Sequence, residues 1–415
     1  MDGGSGKGKI GIIGAGPAGL AASLELSRRE IPHILFDSDH FPRHKPCGDI
    51  LTWGVLRQLN QLDPNILTEL KAGKFLNPIW QSLTYPPNGK PISIDFLPFE
   101  GRSGEPSCFS ISRFHLDNFI LAKALKSTFL DFRPGSRVKN LHRREAEFQL
   151  EFDNQPSENI GFLILATGSE PSLPSRLGIQ IPDREIAVGI RAHFEGVNWP
   201  KDQAGLFLDK DLMPGGLYVT PLNDSECNVN LVMTRESVKQ RRLSLRDALK
   251  TYLSSQHLLK ERFANARQIG KLEGSSLYLG TGKRALSGHG FLLAGDVAGL
   301  IEFFTGNGIP QAFQSGRMAA SMAAEAMEKG DVSAAFLRKY DLEIEKKVKK
   351  AGPTERMILP LIEKKPVSRF LLGFLNHLSG RPHTNQMLRD MMYRKSISGA
   401  LINPGFWYKL LVAKR

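Results

Sequence analysis

Three groups of residues in this 415-residue chain have the types and spacing to do chemistry. The first is Gly14-Ala15-Gly16-Pro17-Ala18-Gly19, with Asp37 following 23 residues after Gly14. In such a run Gly14 permits a tight turn, Gly16 lets a pyrophosphate approach the backbone, and Gly19 lets a helix pack closely on a sheet. The helix N-terminus adds partial positive charge, and an acid at Asp37 accepts hydrogen bonds from ribose hydroxyls. The second group is Gly295-Asp296-Val297-Ala298-Gly299 followed by Thr305-Gly306-Asn307-Gly308-Ile309. Backbone N–H groups and a helix dipole at that start stabilise negative charge on a bound group. The third is Cys47, within Phe41-Pro42-Arg43-His44-Lys45-Pro46-Cys47-Gly48-Asp49. A thiol of suitable pKa can donate a proton. The alternative is a small filler in a tight loop, with Asp49 as the loop's anchor. The run from Gly3 to Lys9 superficially resembles a P-loop, but Ile10 stands where Ser or Thr is needed and the run precedes its strand.

The elements that must position these groups follow from periodicity. Lys9 to Ile13 is a β-branched apolar run suited to a doubly covered parallel strand, and Leu20 to Leu26 continues as a helix. His33 to Phe36 is a second strand ending at Asp37, so the N-terminus forms one βαβ unit. An amphipathic helix is predicted from about Phe114 to Lys126. Phe162 to Ala166 and Phe291 to Ala294 read as further buried strands of the first sheet, far apart in sequence. Between them, Ile186 to Glu195 and Cys227 to Met233 alternate at period two, as half-buried antiparallel strands do. His115 and His193 read as surface or capping histidines, and Cys108 and Cys227 as thiols without chemistry.

The first glycine turn together with the Gly295–Gly299 and Thr305–Ile309 segments resembles the FAD-binding signature of the p-hydroxybenzoate hydroxylase superfamily, most closely its geranylgeranyl reductase family. Supporting segments are Pro46-Cys47-Gly48, which resembles the family's Pro-Cys-Gly stretch, and Arg113 to Asp117, which resembles its Arg-x-x-Phe-Asp pattern. Ala166-Thr167-Gly168 resembles its Ala-Asp-Gly region. The resemblance spans roughly residues 9 to 325. It implies FAD held by Gly14 to Gly19, Asp37, Arg43, Cys47, Gly48, Arg113, Gly168, Gly295, Asp296 and Gly306 to Ile309, with Asp296 at the ribityl chain or pyrophosphate and the Gly306–Ile309 helix start at the flavin's pyrimidine end. It also implies hydride delivery from reduced FAD to a carbon–carbon double bond of an apolar isoprenoid or polyene lipid, with Cys47 as candidate proton donor. The family's Asp is Thr167 here, and its Pro in the second signature is Phe303. Of its Tyr-x-Trp-x-Phe-Pro cavity motif only Pro221 is retained. Tyr218, Pro221 and Phe303 are the candidate substrate contacts. With a single dinucleotide fingerprint, electrons arrive from transiently bound NAD(P)H or from a reduced carrier protein. The alternatives are a flavin monooxygenase of the same superfamily, or an electron-transfer flavoprotein. Hydroxylation is favoured over halogenation, because the halogenases' Trp-x-Trp-x-Ile-Pro stretch is missing.

Three scattered cysteines and no signal-peptide pattern point to a reducing, cytoplasmic setting. The net charge is +13, and Ser333 to Arg415 holds 17 basic against 6 acidic residues, a net of +11. No nucleic-acid module accompanies that charge, so nucleic acid is not the expected partner. Phe370 to Leu375 and Phe406 to Leu411 set apolar and aromatic residues beside cations, a composition suited to peripheral contact with the inner face of an anionic membrane. The expected fold is α/β: a Rossmann-like FAD-binding domain (1–70, 106–180, 285–330), an inserted mainly antiparallel substrate domain (71–105, 181–284) and a basic helical C-terminal region (331–415).

Overall fold

The computed structural model describes residues 8–98, 104–144, 147–180, 182, 185–280, 284–302, 305–348 and 360–379. The apolar runs named above meet in one six-stranded sheet, in the order Ser287–Gly288, Phe291–Leu293, Phe162–Leu165, Ile10–Ile13, His33–Phe36, Leu130–Arg133. Every pairing in it is parallel except that of the Ser287–Gly288 edge. Continuous apolar sequence suits these strands because helices cover the sheet. The helices Pro17–Arg28 and Ile309–Lys329 pack on each other so tightly that a Cβ on Gly316 would lie 2.0 Å from the Ala18 carbonyl oxygen. The helix expected from Phe114 runs Arg113–Ala124.

The period-two segments form a second, seven-stranded sheet: Arg267–Tyr278, Ile186–Glu195, Glu226–Thr234, Gly215–Pro221, Gln203–Phe207, Gln81–Tyr85, Ile92–Asp95. All its pairs are antiparallel except Gln203–Phe207 with Gln81–Tyr85. One face presents Leu217, Val219, Cys227, Val229 and Leu231 to the helices Leu245–Ser255 and His257–Arg262. The other face carries Tyr218 opposite Asn230, Thr220 opposite Asn228, and Arg191 and His193 opposite the same two asparagines. Alternation predicts that this polar face meets water. Instead Asn228 is fully buried and Asn230 and Arg191 are nearly so, because the Phe41–Asp49 loop lies against it.

A three-stranded antiparallel meander (Val138–Arg144, Glu147–Phe152, Glu158–Ile160) and a small sheet of Ile50–Leu51, Phe109–Ser110 and Asn77–Pro78 complete the strands. The helix Ala334–Lys347 is tied down by Tyr340, whose hydroxyl donates to the Leu293 carbonyl at 2.7 Å. The helix Lys365–Leu378 buries Ser368, Leu372 and Leu378, and Asn88 N–H donates to Asn376 Oδ1 at 3.3 Å. Phe370 on that helix is 71% exposed. The second apolar cluster, Phe406 to Leu411, lies outside the described residues. Among the described residues no helix is long and apolar enough to cross a membrane.

Candidate active site

The glycine turn leaves the Ile10–Ile13 strand through Gly14 at φ +104°, where a side chain would also strike the Ala166 carbonyl. A Cβ on Gly19 would sit 1.8 Å from the Gly14 oxygen, so helix and turn are in direct contact. Asp37, at the end of the next strand, accepts from Ala15 N–H at 2.7 Å and from Asp39 N–H at 2.9 Å. Two buried arginines close this pocket. Arg113 makes a bidentate pair with Asp117, both contacts 2.6 Å. Burial weakens its cation, but the Asp117 carboxylate outweighs that and holds the guanidinium above its ordinary pKa. Arg43 donates to the Ala15 carbonyl at 3.3 Å and pairs through Nη1 with Asp117 Oδ2 at 3.3 Å, while its buried Nε has no hydrogen-bond partner. A Cβ on Gly16 would lie 3.9 Å from Arg113 Nη2 and 4.0 Å from Arg43 Nη2. The gap between the Gly16 backbone and the two guanidinium groups leaves room for an anion.

Asp296 lies in a short 3-10 turn, Gly295–Ala298, after the Phe291–Leu293 strand. Burial raises its pKa, against the pull of Arg113 and Lys45. Its carboxylate has no hydrogen-bond partner among the described residues. A Cβ on Gly308 would come within 3.1 Å of its Oδ1. Gly306 takes φ +65°, Asn307 donates to Thr52 Oγ1 at 3.0 Å, and Ile309 opens the long helix. The Lys45 amine faces the same space: its nitrogen lies 3.8 Å from where Gly168 would carry a Cβ. Burial and then Arg113 and Arg43 lower its pKa, while Asp296 and Asp37 support the charge. An unpartnered Asp296 carboxylate, two guanidinium groups facing the glycine turn, and Gly14 and Gly308, where a Cβ would clash, fit the ribityl and pyrophosphate parts of FAD.

Cys47 is half-buried beside Arg113, and burial pushes its thiol pKa up, so the group stays protonated. Its carbonyl accepts from Asn228 Nδ2 at 2.8 Å. Asp49, buried and at φ +55°, is the hub that holds this loop. Its Oδ1 accepts from Arg113 N–H at 3.2 Å, and its Oδ2 meets Asn228 Nδ2 at 2.6 Å and His193 Nε2 at 3.1 Å. His193 also contacts Arg191 at 2.6 Å and Glu226 at 3.4 Å, and Arg191 pairs with Glu273 at 2.6 Å. Arg191 Nη2 reaches the Lys45 carbonyl at 3.4 Å.

The expectation that His193 is a surface or capping histidine is therefore corrected: its side chain is 13% exposed and joins the sheet to the Cys47 loop. His115 is exposed and stacks on Phe75 at 5.1 Å. Tyr218 sits on the polar face of the seven-stranded sheet, half-buried, with its phenol pKa raised by burial. Pro221 uses its carbonyl to accept from Ser110 Oγ and from Asn77 Nδ2 at 3.2 Å, a linking role. Phe303 lies outside the described residues. Asn228, Asn230 and Arg191 were not singled out from sequence. Their signal was polar residues filling every second position of an otherwise apolar strand.

No family model matches the chain. An uncharacterized protein of Methanosarcina barkeri is 29% identical over 344 residues, 80% of this chain and 79% of that protein. Menaquinone reductase of Mycobacterium tuberculosis is 25% identical over 322 residues, 75% of each chain. Digeranylgeranylglycerophospholipid reductase 2 of Methanopyrus kandleri is 26% identical over 349 residues, 79% of this chain and 80% of that one. Among solved structures, a geranylgeranyl bacteriochlorophyll reductase-like protein of Thermoplasma acidophilum superposes with a TM-score of 0.77 at 18% identity, covering 95% of this chain and 98% of that one. A flavin-dependent brominase gives 0.71 at 18% identity over 97% and 96%. Fold and site together define an FAD-dependent oxidoreductase built on a Rossmann-like sheet. Within that class the chain is similar to reductases named for isoprenoid substrates, the menaquinone and digeranylgeranylglycerophospholipid reductases.

Proposed function

We propose that the protein saturates carbon–carbon double bonds of an isoprenoid lipid, either an isoprenoid quinone or a geranylgeranyl ether lipid. The observation that carries this is Cys47: a thiol kept protonated by burial, on the loop that joins the nucleotide pocket to the polar face of the second sheet. Bound FAD, once reduced, supplies the hydride. Gly14 to Gly19, Asp37, Arg43 and Arg113 hold its pyrophosphate and ribose end, and Asp296, Gly168 and the Gly306–Ile309 helix start hold the remainder. The Cys47 thiol gives its proton to the carbon adjacent to the one that accepts hydride. The thiolate left behind is offset by Arg113 and regains a proton from solvent. Segments 71–105 and 181–284 form the substrate domain, with Tyr218 at the roof.

The lipid is drawn from a membrane by the Lys365–Leu378 region. There Leu361 and Phe370 are exposed beside Lys364, Lys365 and Arg369, a pattern suited to an anionic surface on its cytoplasmic side. NAD(P)H or a reduced carrier protein restores the electrons.

The test is anaerobic incubation of dithionite-reduced protein with menaquinone or with a digeranylgeranyl lipid, followed by mass spectrometry. Addition of two hydrogens per bond is the expected product. Incorporation of oxygen or halogen during aerobic turnover would replace this reading with the oxygenase one, which the brominase-like fold keeps in view. Electron delivery to a protein acceptor, with neither lipid changed, would make the protein a carrier.

A further inference from the structure

The seven-stranded sheet has an open cavity on the face away from the Phe41–Asp49 loop. Successive residues of a strand point to opposite sides, so His193 meets Asp49 while Phe194 turns away, toward the helices Leu245–Ser255 and His257–Arg262. There Phe194 meets Phe263 edge-on, with ring centres 5.5 Å apart. Together with Leu253 and Leu272 these rings floor an open cavity of about 570 Å³. That size lies within the roughly 300–1,000 Å³ of small-molecule sites. The lining includes three cations, Arg246, Lys250 and Lys260, all exposed. None of the three has an acidic partner among the described residues. Arg246 and Lys250 stand one turn apart on a single helix, an arrangement that repels unless an anion lies between them.

We propose that this cavity binds a monomeric amphiphile, its apolar chain on the Phe194–Phe263 floor and an anionic headgroup between Arg246, Lys250 and Lys260. Charge complementarity selects the headgroup, and the aromatic and leucine floor selects the chain. The sheet separates this site from the Cys47 loop, so it is distinct from the candidate active site and does not depend on the reaction proposed above.

The probe is dodecyl phosphate below its micelle concentration, titrated calorimetrically into the flavin-loaded protein. Dodecanol and inorganic phosphate serve as half-probes. Saturable binding is expected, weaker by at least about tenfold for each half-probe and for the exposed-charge variant R246Q/K250Q/K260Q. That variant is expected to keep its full flavin content, which reports its fold. Equal affinity in the variant would place the ligand elsewhere and overturn the proposal, as would inorganic phosphate binding as tightly. Binding to phosphatidylglycerol vesicles without binding of the monomer would make the cations a membrane-docking patch and also overturn it.

Discussion

Asn228 is the residue whose replacement most sharply tests the description of the Cys47 loop. Its amide donates to Asp49 Oδ2 at 2.6 Å and to the Cys47 carbonyl at 2.8 Å, and its oxygen accepts from Asn230 at 3.1 Å. Asn228→Leu keeps the volume and removes all three contacts. With about 1.5–3 kcal/mol for a hydrogen bond to a buried charge and about 1 kcal/mol for each neutral one, the cost is about 4 kcal/mol. Asn228→Asp retains the Asn230 contact but loses both donors and sets a second carboxylate against Asp49. Two like charges about 4 Å apart repel by about 4 kcal/mol at an effective dielectric of about 20. The aspartate is therefore expected to cost about 3 kcal/mol more than the leucine, although it is the milder change in shape. Adding Asp49→Asn to the Asn228→Asp variant returns a donor to the pair and is expected to recover more than half of the loss. The assay is guanidinium unfolding of the flavin-loaded protein, followed by flavin release and by far-ultraviolet dichroism. An Asn228→Asp variant no less stable than Asn228→Leu, or a double variant worse than either single one, would refute the contact.

Cys47→Ala is expected to slow lipid reduction by about a hundredfold or more without slowing flavin reduction. Because burial raises the thiol pKa, the proton-donating form persists at neutral pH and is lost as pH rises through the raised value. Wild-type kcat/KM should therefore fall on an alkaline limb displaced above the ordinary thiol range, and the alanine variant should lack that limb. Asp37→Ala removes the acceptor for Ala15 N–H and for the ribose, and equilibrium flavin fluorescence should show affinity lower by about 10- to 100-fold. Gly316→Ala pushes a methyl into the Ala18 carbonyl and should cost about 3 kcal/mol or more in chemical denaturation, whereas Gly373→Ala, with nothing within 4 Å, should be neutral or mildly stabilising.

Much of the nucleotide end was legible in the sequence because its determinants are local. A glycine turn, an acid at the end of the next strand and apolar runs are read within a few tens of residues. The joining of Phe162–Leu165 and Phe291–Leu293 to the first sheet was also legible, since doubly covered strands have a composition of their own. The polar hub was not. Asp49 and His193 are separated by 144 positions, and no period links them. A histidine alternating with apolar residues looks the same whether its face meets water or another segment of the chain. What decided the matter was the Phe41–Asp49 loop crossing that face, which is a tertiary event. The cavity behind the sheet was illegible for the same reason, because Phe194 and Lys260 come together only through the packing of two short helices on strands.

The contact between Gly316 and Ala18 ties the glycine turn to the long C-terminal helix of the first sheet. The helices that begin after the Gly14–Gly16 turn and at Ile309 touch backbone to backbone, a spacing that only the missing side chain at Gly316 allows. The remaining wall of the nucleotide pocket is the Phe41–Asp49 loop, and Asn228 and His193 fasten that loop to the second sheet. Any displacement of that loop is therefore transmitted directly to the polar face of the second sheet.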